Sequence, residues 1–153
     1  IGRSLEIFRE CVPEAELWGY DPSPRSVELA RRQSGGARLT SNAGELPAGA
    51  FDVVFAANVF HHIAAPERAA ALGACAALLR EGGRVFLFEH NPLNPATRWV
   101  FERCPFDRGA RMLPRREALA LAAAAGLRVE QSPYTLFFPR PLAILRPPRT
   151  QSR

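Results

Sequence analysis

Lysine is absent from this chain, and all twenty basic side chains are arginines. No catalytic Tyr-x-x-x-Lys arrangement can therefore be built from it. Together with the abundant alanine, the absence looks like GC-rich codon usage rather than selection for a basic surface. Cysteine is scarce: Cys11, Cys75 and Cys104 are odd in number and lack paired spacing. That excludes a disulfide framework and a cysteine zinc cluster, and it suits a reducing cytoplasm. No metal-ligand set is expected. No apolar run approaches the roughly 18 residues of a membrane span, and no signal-peptide pattern opens the chain. Acids are missing from the end: all fifteen precede Pro139, whereas Arg140, Arg146, Arg149 and Arg153 follow it. Residues 1–138 thus carry a net +1, and the Pro- and Arg-rich residues 139–153 carry the other +4. A pI near 10.0 gained this way describes a solvated tail, not a nucleic-acid face.

What is present is one domain's worth of apolar patterning, over residues 1–138. Its centre is FDVVFAANVFHHI, Phe51 to Ile63. An acid followed by five apolar residues predicts a strand buried on both faces, as in a parallel sheet. The strand ends at Asn58, and polar residues leaving a buried strand are where open α/β sheets place ligand chemistry. His61 and His62 follow within a turn.

Around that centre, strands and helices alternate. An amphipathic helix follows Gly2 and ends at Pro13. Leu17 to Tyr20 predicts a strand closing on Asp21. Ser23 and Pro24 supply the cap and first position of a helix reaching Gln33. Ala37 to Ser41 is an edge-strand candidate ending at Asn42-Ala43. Pro66 opens an alanine-rich helix to Leu79, and Gly82-Gly83 turns it into the strand Arg84 to Glu89. Helices are predicted over about 96–103 and 114–125, the second stopped by Gly126. Leu127 to Gln131 and Tyr134 to Phe138 predict a closing antiparallel pair.

The order Gly2-helix, strand-Asp21, strand-Asn42-Ala43, FDVVFAANVFHHI and LLREGGRVFLFEHN resembles the class I S-adenosylmethionine-dependent methyltransferases. Further, EHNPLNP, CPFD and FFPR resemble a branch acting on small molecules. The resemblance implies a three-layer, Rossmann-like α/β sheet, mostly parallel with an antiparallel C-terminal strand. It implies S-adenosylmethionine as cofactor, with Asp21 on the ribose hydroxyls and Pro22 beside the adenine. Asn42 stands where the family usually carries an acid on the adenine amino group, and Ala43 supplies an N–H there. Gly2 is the last residue of the glycine loop, and Asn58 lies close to the transferable methyl. His61 and His62 are the catalytic candidates: one as a general base, or both as loop-shaping and cofactor-contact residues.

In that family a central strand and the rest of the glycine loop precede Gly2. The sequence is therefore expected to represent an N-terminally truncated methyltransferase domain lacking its first central strand, so that its own activity is in doubt. Two other readings share these residues. Asp21 also lies about 20 residues after Gly2, as in nicotinamide-dependent dehydrogenases. A non-catalytic, methyltransferase-like binding module would tolerate an incomplete loop. The expected partner is a small-molecule methyl acceptor, with Arg98, Trp99, Phe106, Arg108 and Arg111 as acceptor-side candidates.

Overall fold

The computed structural model describes residues 2–33 and 35–134. The described chain divides into two compact units that meet in sequence between Ala50 and Phe51. Each carries one two-stranded parallel sheet.

In the first unit, helix α1 spans Arg3–Cys11. Gly2 precedes it at φ 77°, a left-handed conformation that favours glycine, and its carbonyl accepts the Leu5 N–H at 2.9 Å. Strand β1 (Trp18–Tyr20) pairs with β2 (Arg38–Thr40), and α2 (Pro24–Gln33) forms the crossover. The Ser23 hydroxyl accepts the Ser26 N–H at 3.3 Å, so the expected cap is in place. Val27 and Ala30 are the buried face of α2.

In the second unit, β3 (Phe51–Ala57) pairs in parallel with β4 (Leu79–Phe88) through the crossover helix α3 (Arg68–Leu78). The pairing is irregular between Phe51 and Val53. Helix α4 (Pro95–Arg103) starts at Asn94, whose side-chain oxygen accepts the Ala96 and Thr97 N–H groups, with Pro95 at the first position. Helix α5 spans Arg115–Ala124. Phe60, Leu72 and Leu113 form the core, with Ala56, Val85, Leu87, Ala118 and Leu121 among the residues packed against it.

The parallel α/β class is as expected, but two details differ. First, β3 is not buried on both faces: Val53 is 43% exposed, and Phe86 and Phe88 on β4 are 43% and 50% exposed. The side chains that meet the core, Ala56, Val85 and Leu87, alternate with these, so among the described residues the core of this unit lies on one sheet face. Second, residues 127–131 form no strand. Leu127 is used instead to close α5: its N–H donates to Ala122 O and that of Gly126 to Ala123 O, with Gly126 at φ 71°. This is a Schellman closure, and Leu127 packs on the core as such closures favour. The other expected strand, 134–138, and the 139–153 tail lie almost wholly outside the described residues. Among the described residues, no helix is long and apolar enough to cross a membrane.

Candidate functional site

The first unit places its candidates at the carboxyl ends of its strands. Asp21 follows β1 directly and is half-buried. Its Oδ1 accepts the Ser23 N–H at 2.8 Å, an Asx turn that stiffens the Pro22 corner. Oδ2 takes no hydrogen bond among the described residues. Asn42 caps a 3₁₀ turn at Ala43–Glu45, its Oδ1 accepting the Gly44 N–H at 3.0 Å. That oxygen is the one expected to accept from adenine, and a second lone pair remains on it. Ala43 opens the turn, where an N–H has no acceptor within the helix. Pro22, Asn42 and Ala43 are exposed.

The second unit builds a denser arrangement at the carboxyl end of β3 and β4. Asn58 has φ 56°, the single positive value among described non-glycine residues, and its N–H donates to Phe88 O at 2.8 Å. Asparagine tolerates this conformation because its short polar side chain bonds locally. The sharp exit turns the chain into a 3₁₀ segment, Phe60–His62.

Glu89, the first residue past β4, fastens that segment. Its Oε1 accepts the Val59 and Phe60 N–H groups at 3.0 and 2.7 Å, and its Oε2 lies 2.7 Å from His61 Nδ1. His61 is 1% exposed. Its other ring nitrogen, Nε2, is buried without a hydrogen bond and stands 3.3 Å from Asp107 Oδ1. His62 Nε2 is 3.5 Å from the same oxygen, but the His62 side chain is 46% exposed. The His90 ring lies 5.0 Å from that of His61, and Phe101 meets both edge-on at 5.5 Å.

The electrostatics follow from these neighbours. Burial first, then the adjacent His61, pushes the His90 imidazole below its ordinary value. Burial alone would raise Asp107, but the Cys104 thiol hydrogen bond together with His61 and His62 holds its carboxyl below the ordinary range. Burial pushes the Cys75 thiol up.

Sequence reasoning found Asn58, His61 and His62 here but missed Glu89 and Asp107 as members of the same group. Glu89 had a usable signal, being a polar residue leaving a strand as Asn58 is. Asp107 stood in the CPFD motif, but nothing there joined it to His62, because two helices and a strand lie between them. Arg111, an acceptor-side candidate, is committed to Glu117 through two 2.8 Å contacts. Trp99 and Phe106 are 59% and 87% exposed, with Arg103 stacked over Trp99 at 4.6 Å.

Comparison with known proteins gives one family: the model described as "Methyltransferase domain" matches residues 1–85. The chain belongs to the methyltransferase domain family. This agrees with the class I resemblance, and the match contains every cofactor-side candidate from Gly2 to Asn58 as well as both histidines. A solved structure from Sulfolobus solfataricus, assigned to the type 11 methyltransferases, is 18% identical at a TM-score of 0.46. The match covers 56% of this chain and 51% of that one, so the methyltransferase-family chain spans about half the length of that structure. Curated proteins give no match.

Proposed function

We propose that this chain serves methyl transfer from S-adenosylmethionine to a small-molecule acceptor. The observation that carries the reading is Asp21: a half-buried carboxylate at the end of β1, with one oxygen fixed by Ser23 and the other available. A ribose diol presents two donors to such a group, and a charge-assisted pair is the strongest hydrogen bond it can offer. The Asx turn and the ribose role are compatible, because a carboxylate offers about four lone-pair sites and the Ser23 N–H takes one of them. The fit extends to Asn42 and Ala43, which offer an acceptor and an N–H for adenine beside the Pro22 surface, with Gly2 contributing backbone at the start of α1.

When bound, the cofactor supplies a methyl already activated by its sulfonium, so alignment counts for more than a strong base. Asn58 contributes backbone and side-chain atoms at a fixed, sharply turned strand end. His61, with Nδ1 engaged by Glu89 and almost no exposure, holds the loop that carries Asn58 and His62. That geometry supports positioning roles for the histidines over general-base chemistry.

Isothermal titration with S-adenosylmethionine tests the reading. Asp21→Ala is expected to weaken binding at least tenfold, the loss of a contact contributing about 1.5–3 kcal/mol. Unchanged affinity would leave Asp21 as a turn residue and remove the support.

A further inference from the structure

The geometry points to a site for a divalent first-row transition metal, zinc in the first instance, on His61 Nε2, His62 Nε2 and Asp107. Three independent features lead there, and none depends on the methyl-transfer reading.

The first is an orphaned lone pair. Glu89 accepts two backbone N–H groups on Oε1, which commits it as an ionised acceptor, and its Oε2 is 2.7 Å from His61 Nδ1. In the neutral ring with its proton on Nδ1, Nε2 is an acceptor, and it is buried without a hydrogen bond of acceptable geometry. Nε2 faces Asp107 Oδ1, itself an acceptor. Two lone pairs 3.3 Å apart in a buried place need a cation between them, either a proton or a metal ion, and the spacing favours the metal.

Spacing is the second. The separations of 3.3 and 3.5 Å are long for a charge-assisted hydrogen bond, which falls at about 2.7–2.9 Å. They suit neighbouring ligands of one tetrahedral ion: bonds of about 2.0–2.1 Å place ligand atoms about 3.3–3.4 Å apart. One ligand atom from each of the three residues lies within 4.8 Å of the others.

Charge balance is the third. The side chains of Glu89 and Asp107 are only 8% and 11% exposed. Among the described residues neither pairs with an arginine. A dication would neutralise both, as buried carboxylates require. Glu89 then plays the outer part of a carboxylate–histidine–metal relay, fixing the tautomer and ring direction of His61.

The frame is rigid enough to hold such a site. His61 O accepts the Arg111 N–H at 3.0 Å, and Asp107 closes a 3₁₀ turn through its N–H to Cys104 O at 3.1 Å. Two imidazoles and one carboxylate select zinc-like cations over magnesium or calcium, which take oxygen ligands. Three protein ligands leave a coordination position for water or an exogenous oxygen or nitrogen.

The chelator-treated chain, its folded state followed by circular dichroism, should be titrated calorimetrically with Zn²⁺ and spectroscopically with Co²⁺. One equivalent is expected to bind with a micromolar or tighter dissociation constant. The Co²⁺ adduct should show the intense visible bands of four-coordinate cobalt, bleached by Zn²⁺. His62→Ala, at an exposed side chain, and Asp107→Asn should each weaken binding at least tenfold, while Cys11→Ser leaves it unchanged. Absence of stoichiometric binding by the folded wild type would overturn the site, in favour of a doubly protonated His61 bridging the two carboxylates. Equal binding by wild type and both ligand variants would overturn it as well, by placing the ion elsewhere.

Discussion

Arg68 has 0% exposure, an unusual place for a guanidinium. Its Nε donates to Ile63 O at 3.0 Å, one terminal nitrogen to Glu117 Oε1 at 2.8 Å, and the other to Arg111 O. One side chain thereby ties the loop after His62 to the segment after Asp107 and to α5. Nothing in the sequence separates it from exposed arginines such as Arg80, since a charge at the start of an alanine-rich helix is ordinarily solvated. The same holds for Glu117, whose partners are 49 and 6 positions away. Burial would raise the Glu117 carboxyl, but hydrogen bonds from Arg68 and Arg111 outweigh it and hold the group below its ordinary 4.5. A depressed carboxylate contributes stability above that ordinary value and loses it as pH falls through the lower folded one. Replacing Arg68 with leucine should therefore cost about 3–5 kcal/mol, because Glu117 and two carbonyls lose a buried partner. It should also flatten the loss of stability as pH falls below that ordinary 4.5. Urea titrations of both proteins across that range check the two effects together, and an unchanged acid slope would detach Glu117 from the network.

Elements were more legible than partners. Apolar runs and amphipathic periodicity located all four strands and five helices of the described chain, because apolar side chains recur on one side of most of them. Termini were read from chemistry that acts locally: Ser23-Pro24 before α2, and Gly126 after α5. Short 3₁₀ turns at 43–45, 60–62 and 105–107 escaped, since three residues carry no period. The expected strand at 127–131 failed for a different reason: its apolar residues fit an alternating pattern equally well as a helix closure, and Leu127 serves the latter. Two glycines show how context decides what a residue does within an element. A Cβ on Gly83 would lie 2.8 Å from Phe51 O and 3.0 Å from Arg80 O, so β4 must pass β3 without a side chain there. A Cβ on Gly73, in the interior of α3, would meet nothing within 4 Å. Gly83→Ala is expected to destabilise by about 1–3 kcal/mol through backbone crowding. Gly73→Ala should stabilise by about 0.4–1 kcal/mol, since it removes only unfolded-state freedom. Paired denaturant melts measure both, and opposite signs are the required result.

Across the whole molecule, the proposed cofactor candidates and most of the buried polar network fall on opposite sides of the family-match boundary, Arg68 excepted. The six cofactor candidates, Gly2, Asp21, Pro22, Asn42, Ala43 and Asn58, lie within residues 1–85, where strand ends follow a fixed order. Glu89, Asp107, Arg111 and Glu117 lie beyond it, and their grouping depends on chain reversals that no local pattern encodes. If the cofactor reading is right, sensitivity to substitution should divide at the same boundary, and it can be measured without knowing the acceptor. Arg98 offers the control. It is exposed and forms a long 3.8 Å pair with Glu102 one turn away, an interaction contributing a few tenths of a kcal/mol at most. Arg98→Ala should leave S-adenosylmethionine affinity within about twofold, since an exposed ion pair of this kind contributes little and Arg98 is an acceptor-side, not a cofactor-side, candidate. Asn58→Val should lower it, because a β-branched residue resists the left-handed turn that shapes the strand end. Ligand identity is tested in the same thermal-shift assay. A ligand at 100 times its dissociation constant stabilises the folded state by about 2.7 kcal/mol, which moves the melting temperature by several degrees. S-adenosylmethionine should produce that shift in wild type and Arg98→Ala and a smaller one in Asn58→Val. A dinucleotide such as NAD should produce none. A shift from NAD in place of S-adenosylmethionine would transfer Asp21 to the dehydrogenase reading, where a carboxylate also meets a ribose, and the proposed methyl transfer would fail at its first step.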